Sequence, residues 1–320
     1  MPPGKAEIYT DTHLGAPYPV GMFRRLLLLG FVVRGLVAAG GLVTASAEQA
    51  PEPKAAPPSV PVFPPPSYQM VLEETFRGPL LNREIWNTSL FVFGRWGDRF
   101  HNDSYLNYLS DEDVLLEGGR LRLRSDRRSV EGDNPPGVYD FSSGMVSSHD
   151  KFAFTYGYIE IRAKFPGGKG VWPAFWLMPQ THQWPPEFDV AEYYAGRDLM
   201  HMGLCYGDFP EINWDSGGNN DVDFQGQWNT FGLLWLPGKA QWIQNGVVKR
   251  EVLGGYVPDH AMYVILSNGV SSHIGPSGEP DQSTVFPNYF EIEYLRVWVD
   301  PALKTKFPVQ APPPMRTGQR

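Results

Sequence analysis

The sequence predicts an all-β protein built as a β-sandwich, and three features carry that expectation. Short runs alternate apolar and polar residues with period two. Glycine and proline punctuate them, with 34 Gly and 31 Pro in 320 residues. No part of the body carries a long apolar repeat of 3.6 residues, the mark of an amphipathic helix. Many short strands with Gly/Pro turns fold most readily as two packed sheets.

Taken in chain order, the first segment reads as a targeting signal. Arg24 and Arg25 precede an apolar run from Leu26 to Val43, and Ala45-Ser46-Ala47 follows as a small-x-small cleavage pattern. Arg34 splits the run, so neither half would span a bilayer as a helix. Residues 1–47 are therefore expected to be an N-terminal extension plus secretory signal, with Met22 a plausible initiator. The protein is expected to be secreted or periplasmic; an uncleaved segment would leave it anchored to the membrane. Residues 48–67 are Pro-rich, end near Pro64-Pro65-Pro66, and are expected to be an extended linker. Residues 301–320, with Pro312-Pro313-Pro314, are expected to be a disordered tail. Residues 68–300 remain as one domain.

Strand signals recur through that domain. Arg120-Leu121-Arg122-Leu123-Arg124 alternates after the turn Gly118-Gly119. Tyr158 to Lys164 alternates again, and Asn245-Gly246 between Ile243 and Val247 is a strong hairpin signal. Phe290 to Val299 is a further aromatic and β-branched run.

Composition excludes several functions. A formal charge of −8 lacks the basic footprint of a nucleic-acid binder. Cys205 is the one cysteine, so no intrachain disulfide holds the fold. His101, His149, His182, His260 and His273 lack metal-ligand spacing, and no metal site is expected from them. No phosphate loop or Ser-His-Asp arrangement is present. No membrane partner beyond export is implied, and a monomer is expected. The 10 Trp and 15 Tyr suit a β core, but also flat platforms on which sugars stack.

The run Glu187-Phe188-Asp189-Val190-Ala191-Glu192 carries the chemistry. On a regular strand Glu187 and Asp189 share one face, while Phe188 and Val190 share the other. Strict alternation would send Glu192 to the apolar face, where an unpaired carboxylate is costly. One extra residue, a β-bulge near Val190-Ala191, returns Glu192 to the face of the other two. Two carboxyl groups roughly 5–5.5 Å apart suit double-displacement glycoside hydrolysis. Crowding raises at least one pKa, as a general acid at neutral pH requires. A solvated acidic strand or a calcium loop would also place acids at this spacing, although calcium loops usually carry Gly and Asn in place of Phe and Val. Spacing alone does not say which Glu is nucleophile and which is acid.

Upstream, Trp172, Ala174 and Trp176 share one face of Gly170 to Pro179, and Phe175 and Leu177 share the other. With Phe152 to Arg162, the Trp172-Pro173-Ala174-Phe175-Trp176-Leu177 block, the carboxylate run, His201 to Gly207, Phe231 to Trp235 and Glu293 to Trp298, the sequence resembles glycoside hydrolase family 16 over about residues 70–300. The resemblance implies a jelly-roll (concanavalin A-like) sandwich with a concave cleft. It implies Glu187 as nucleophile, Glu192 as acid/base and Asp189 as the residue tuning the nucleophile. It places Asn102, Tyr105 and Asn107 on the non-reducing side, where they could equally be turn formers, and His201 on the following strand. From the residues themselves, Trp172 and Trp176, two Trp on one face beside the carboxylates, are expected to stack sugar, with core filling the alternative; one of Tyr193 and Tyr194 should face the cleft, and Tyr194 and Arg162 are included as expected substrate contacts. For Arg162, beside Glu160 and Lys164, a solvated face is an equal alternative. Trp184, Trp214 and Trp228 sit where packing explains an aromatic less easily.

The sequence also departs from the family. Laminarinase-like members often read His-x-Thr-x-His where this chain has His201-Met202-Gly203-Leu204-Cys205, so Cys205 stands at the second His. Glu73-Glu74-Thr75-Phe76 is a loose form of the usual domain start. Some members bind structural calcium using residues near both ends of the domain; Glu293 stands where Asp is usual, which leaves calcium open. No cofactor is expected. The expected function is a retaining endo-β-glucanase on β-1,3 or mixed β-1,3/1,4 linkages, with a polysaccharide as partner. The alternatives are hydrolysis of agar, porphyran or carrageenan, a transglycosylase with the same carboxylates, and a non-catalytic glucan-binding sandwich.

Overall fold

The computed structural model describes residues 62–92, 95–99, 103–181, 183–219 and 225–310. The expected signal segment, Asn102, His101 and His182 lie outside them. No described helix is long and apolar enough to cross a membrane.

The fold is the expected jelly-roll sandwich. A ten-stranded sheet runs Val247–Leu253, Lys239–Gln244, Trp228–Leu236, Gly157–Lys164, Asn288–Val299, Arg120–Asp126, Phe141–Ser143, Asn107–Leu109. Gln69–Glu74 also pairs with Asn288–Val299, and Val114–Glu117 with Arg120–Asp126. A seven-stranded sheet runs Met145–Ser147, Met262–Val270, Val171–Pro179, Glu187–Tyr194, Leu199–Asp208, Glu211–Asn219, with Ala153–Phe154 pairing to Met262–Val270. The Asn245-Gly246 turn does join Lys239–Gln244 to Val247–Leu253.

The main core lies between the sheets and follows the sequence alternation. Ile159, Ile161 and Ala163 enter it from one strand, Leu295 and Val297 from another, and Phe175, Leu177 and Phe188 from the facing sheet. Each fully buried Ile, Leu, Val or Phe among them contributes about 1.5–3 kcal/mol over its exposed state. Val171–Pro179 is buried along its whole length. Its second face, Trp172, Ala174, Trp176 and Met178, joins a separate cluster with Tyr105, Met145, Tyr263 and Ile265. The sheet thus carries apolar side chains on both faces, and the second cluster lies beside the carboxylates.

Two expectations about the chain ends need correction. Residues 301–310 are an ordered extension of the domain. Pro301–Lys304 is a short helix capped by Asp300, and Leu303, Phe307 and Val309 pack against the core. Gln310 bridges Ala153. Proline content had suggested a solvated tail; these three apolar residues, spaced along the segment, supply the burial that holds it. At the other end, Phe63 of the expected linker stacks on Tyr158 at 5.6 Å.

Candidate active site

Glu187–Tyr194 is a central strand, and its register shows the extra residue that alternation demanded. Against Leu199–Asp208, Asp189 pairs with Gly203 and Glu192 with His201, so Val190 and Ala191 oppose Met202 alone. Against Val171–Pro179, Asp189 pairs with Trp176 and Glu192 with Ala174. Val190 and Ala191 both join the core, while Glu187, Asp189 and Glu192 stay together on the opposite face. Trp242 reaches across the core from the other sheet, and its Nε1–H donates to the Asp189 carbonyl at 2.7 Å. A bulge interrupts the ladder, so a main-chain acceptor there needs a partner from elsewhere.

Each carboxyl group has its own donors. Trp184 Nε1–H donates to Glu187 Oε2 at 2.8 Å. Trp172 Nε1–H donates to Glu192 Oε1 at 3.1 Å and Tyr194 O–H to Glu192 Oε2 at 3.0 Å. His201 Nε2 lies 3.2 Å from Asp189 Oδ2 and 3.9 Å from Glu192 Oε2. Its ring stacks on Tyr194 at 5.0 Å, while Trp172 stacks on Tyr105 at 4.2 Å and 6°. Trp176 donates to Ser267 Oγ at 3.3 Å on the same face. Gly203 permits the crowding: a Cβ there would lie 2.5 Å from His201 Nε2 and 3.0 Å from Asp189 Oδ2.

Burial raises all three carboxyl groups above the usual range. The Asp189 charge adds to this at Glu187, and the Glu192 charge adds at Asp189. At Glu192, burial is opposed by His201 and by the Tyr194 and Trp172 hydrogen bonds. Burial lowers His201, favouring the neutral ring, and raises Tyr194, which keeps its proton and stays a donor. Burial, then Glu187 and Asp189, raises the Cys205 thiol, so it remains protonated.

A family model described as glycosyl hydrolases family 16 matches residues 102–275. The chain belongs to glycoside hydrolase family 16. This family 16 chain is 31% identical over 252 residues to a glucan endo-1,3-beta-glucosidase of Cryptopygus antarcticus, covering 71% of this chain and 90% of that protein. It is 29% identical over 198 residues to an endo-1,3-1,4-beta-glycanase of Rhizobium meliloti, covering 62% of this chain but 42% of that protein. The catalytic domain of an endo-1,3-beta-glucanase (laminarinase) from Thermotoga petrophila superposes with a TM-score of 0.63 at 26% identity, over 73% of this chain and 98% of that one.

Trp172, Trp176, His201 and Tyr194 thus gather around the carboxylates, as does Tyr105, placed through its stack on Trp172. Arg162 does not. It lies on the outer face of the ten-stranded sheet, ion-paired with Glu293 and beside Trp228. The alternation of its strand sends Ile161 and Ala163 inward, so Arg162 must face solvent on the far side of the molecule. Asn107 is fully buried and structural, donating to Ser143 Oγ and accepting from the Val270 amide. Trp184 had only its loop position to recommend it. Trp242 carried no signal, because its partner belongs to the other sheet.

Asp189, Glu192 and His201 offer ligand atoms within 4.8 Å of one another, the one such group among the described residues. Donors already point at both Glu192 oxygens, and they would oppose a cation there. Near the domain ends Glu293 pairs with Arg162, Glu73 with Arg296 at 2.9 Å, and Glu291 with Arg120 at 3.1 Å. These acids are neutralised by cations and do not fit a calcium site.

Proposed function

We propose that this family 16 chain is an exported, retaining endo-β-glucanase acting on β-1,3 or mixed β-1,3/1,4 glucan, with Glu187 as nucleophile and Glu192 as acid/base. The relatives named for glucan cleavage support the substrate class. The observation that carries the chemistry is one bulged strand presenting both Glu side chains on one face, beside aromatic rings suited to sugar stacking.

The proton arrangement follows from the roles proposed for the two Glu residues. Asp189 is 1% exposed, less than Glu187, and its Oδ1 has no donor. The nucleophile role requires Glu187 as the anion, which the Trp184 hydrogen bond favours although burial and Asp189 oppose it, so in this reading Asp189 keeps a proton. His201 Nε2–H then donates to Asp189 Oδ2. In the first step Glu187 attacks the anomeric carbon while Glu192 gives its proton to the departing glycosidic oxygen, and a glycosyl–Glu187 ester forms. In the second, Glu192 takes a proton from water, which attacks the same carbon and frees Glu187, so the product keeps the β configuration. The non-reducing part of the glycan lies over Trp172 and Tyr105, and the leaving part lies over the strands beyond His201.

The test pairs two variants on an aryl β-glycoside with a good leaving group. Glu192→Ala should form the glycosyl-enzyme in a burst and, with azide, turn over to the β-glycosyl azide. Glu187→Ala should show no burst and no β-azide. The reverse pattern would exchange the two roles. Wild-type hydrolysis of laminarin or lichenan is expected in a screen that includes agarose, porphyran and carrageenan. Turnover confined to a galactan would replace the glucanase reading, products longer than the substrate would indicate transglycosylation, and silence on all would indicate a binding module.

A further inference from the structure

The seven-stranded sheet continues past the catalytic strand to an edge, and three cross-strand rows lead there. Glu187 pairs with Cys205 and Cys205 with Trp214; Asp189 with Gly203 and Gly203 with Ser216; Glu192 with His201 and His201 with Gly218. Paired residues share a face, so the outer face here is a trough. Its floor is Gly203 and Ser216, and its banks are Trp214 on one side and His201 with Leu199 on the other. A Cβ on Gly218 would lie 2.3 Å from Leu199 Cδ1, so Leu199 closes that bank.

The Trp214 bank is held in place from behind. Neighbouring Asp215 turns inward, ion-paired with Arg250 and accepting from Tyr256 O–H at 2.9 Å. Strand alternation then sets Trp214 outward, 38% exposed on an edge strand where its indole has no core to fill. Phe209, 56% exposed at the preceding turn, contacts Trp184 at 6.3 Å, and Trp184 is the donor to Glu187. The aromatic wall therefore runs on from the nucleophile. Adjacent strands lie about 4.8 Å apart, which places Trp214 two strand spacings from Glu187. With one sugar over each strand beyond Glu187, the second on the leaving side would lie over Trp214. The intervening position holds Cys205, a buried protonated thiol and a poor partner for sugar hydroxyls.

We propose that Trp214 is the stacking platform for the second sugar on the leaving-group side, so that this chain grips the leaving part of its glucan by an aromatic face at the sheet edge. The proposal rests on the orientation and substrate class given under the proposed function. Stacking of this kind supports about threefold to tenfold in binding.

The test compares a β-1,3-linked glucohexaose with an aryl β-glycoside that carries only the aryl group on the leaving side. For Trp214→Ala, the loss in kcat/KM on the hexaose should exceed the loss on the aryl glycoside by up to about tenfold, and Trp214→Tyr should recover most of it. Hydrolysis in 18O water, which labels the new reducing end, should show cleavage shifting away from bonds that leave two or more sugars on the leaving side. Equal losses on both substrates, an unchanged cleavage pattern, or a shift toward the opposite end would each overturn the proposal. Wild-type silence on every glucan would instead sink the glucanase reading. The same paired measurement would then be made on oligosaccharides of whichever galactan is turned over.

Discussion

Glu187, Asp189 and Glu192 hold protons more tightly in the fold than in water, because burial and mutual repulsion disfavour their anions. A carboxyl group whose pKa is raised by folding stabilises the fold fully below its unfolded pKa. That contribution is lost as pH rises through the folded pKa, since the native state then binds more protons than the unfolded one. The site should therefore cost stability at neutral pH. Glu187→Gln, which removes one charge and keeps the shape, is expected to raise the melting temperature at pH 7 by about 2–4 °C for each kcal/mol relieved, with less gain at pH 4. Calorimetry at the two pH values checks this, and a lower melting temperature at pH 7 would count against the crowding argument. The same shifts shape the rate. The alkaline limb of kcat/KM should fall above the ordinary carboxylate range as Glu192 loses its proton. On an activated aryl glycoside, Glu192→Gln should remove that limb, and a limb that persists would assign it to another group.

At the level of the strand, two apolar residues in succession, Val190 and Ala191, signalled in the sequence that the alternation had to break before Glu192. What holds the break was not legible. Trp242, 53 residues later and on the other sheet, donates to the Asp189 carbonyl. Nothing in the local pattern around Trp242 marks it as more than a core aromatic. Trp242→Phe keeps the ring against Phe188 but loses the donor. Leaving a buried acceptor unpaired should cost about 1–3 kcal/mol. Because the bulge aims Glu192, kcat should fall more than KM rises. Melting curves beside kinetics separate the two effects, and loss of stability with unchanged kcat would mean that the bulge holds itself.

On the scale of the whole molecule, the two sheets have different tasks, and Arg162 shows how a strand's sheet decides its role. The outer face of the ten-stranded sheet is a lattice of compensated charges: Arg162 with Glu293, Lys164 and Arg120 with Glu291, and Arg296 with Glu73. Partly exposed pairs of this kind contribute about 0–1 kcal/mol each. Arg162→Ala should therefore change kcat and KM on laminarin by less than about twofold and shift melting little; a large rise in KM would return Arg162 to the substrate. With its terminal acids neutralised by cations, the domain is also expected to melt at the same temperature with EDTA as with added calcium. A rise of several degrees with calcium would reveal a site built from other groups.

The all-β class, the alternating faces of strands such as Tyr158 to Lys164 and the bulged carboxylate run were legible in the sequence by itself, because each rests on short-range alternation and on the cost of burying a charge. The family resemblance added the roles of the three acids. Only the tertiary structure decided which sheet each strand joins, and with it whether a polar face meets the site or solvent. It moved Arg162 away, brought Trp184, Tyr194 and His201 to particular carboxyl oxygens, and set Trp214 in line with Glu187. It also drew residues 301–310 into the domain through Leu303, Phe307 and Val309. Pairing between strands is long-range in sequence, and a period of two looks the same in either sheet.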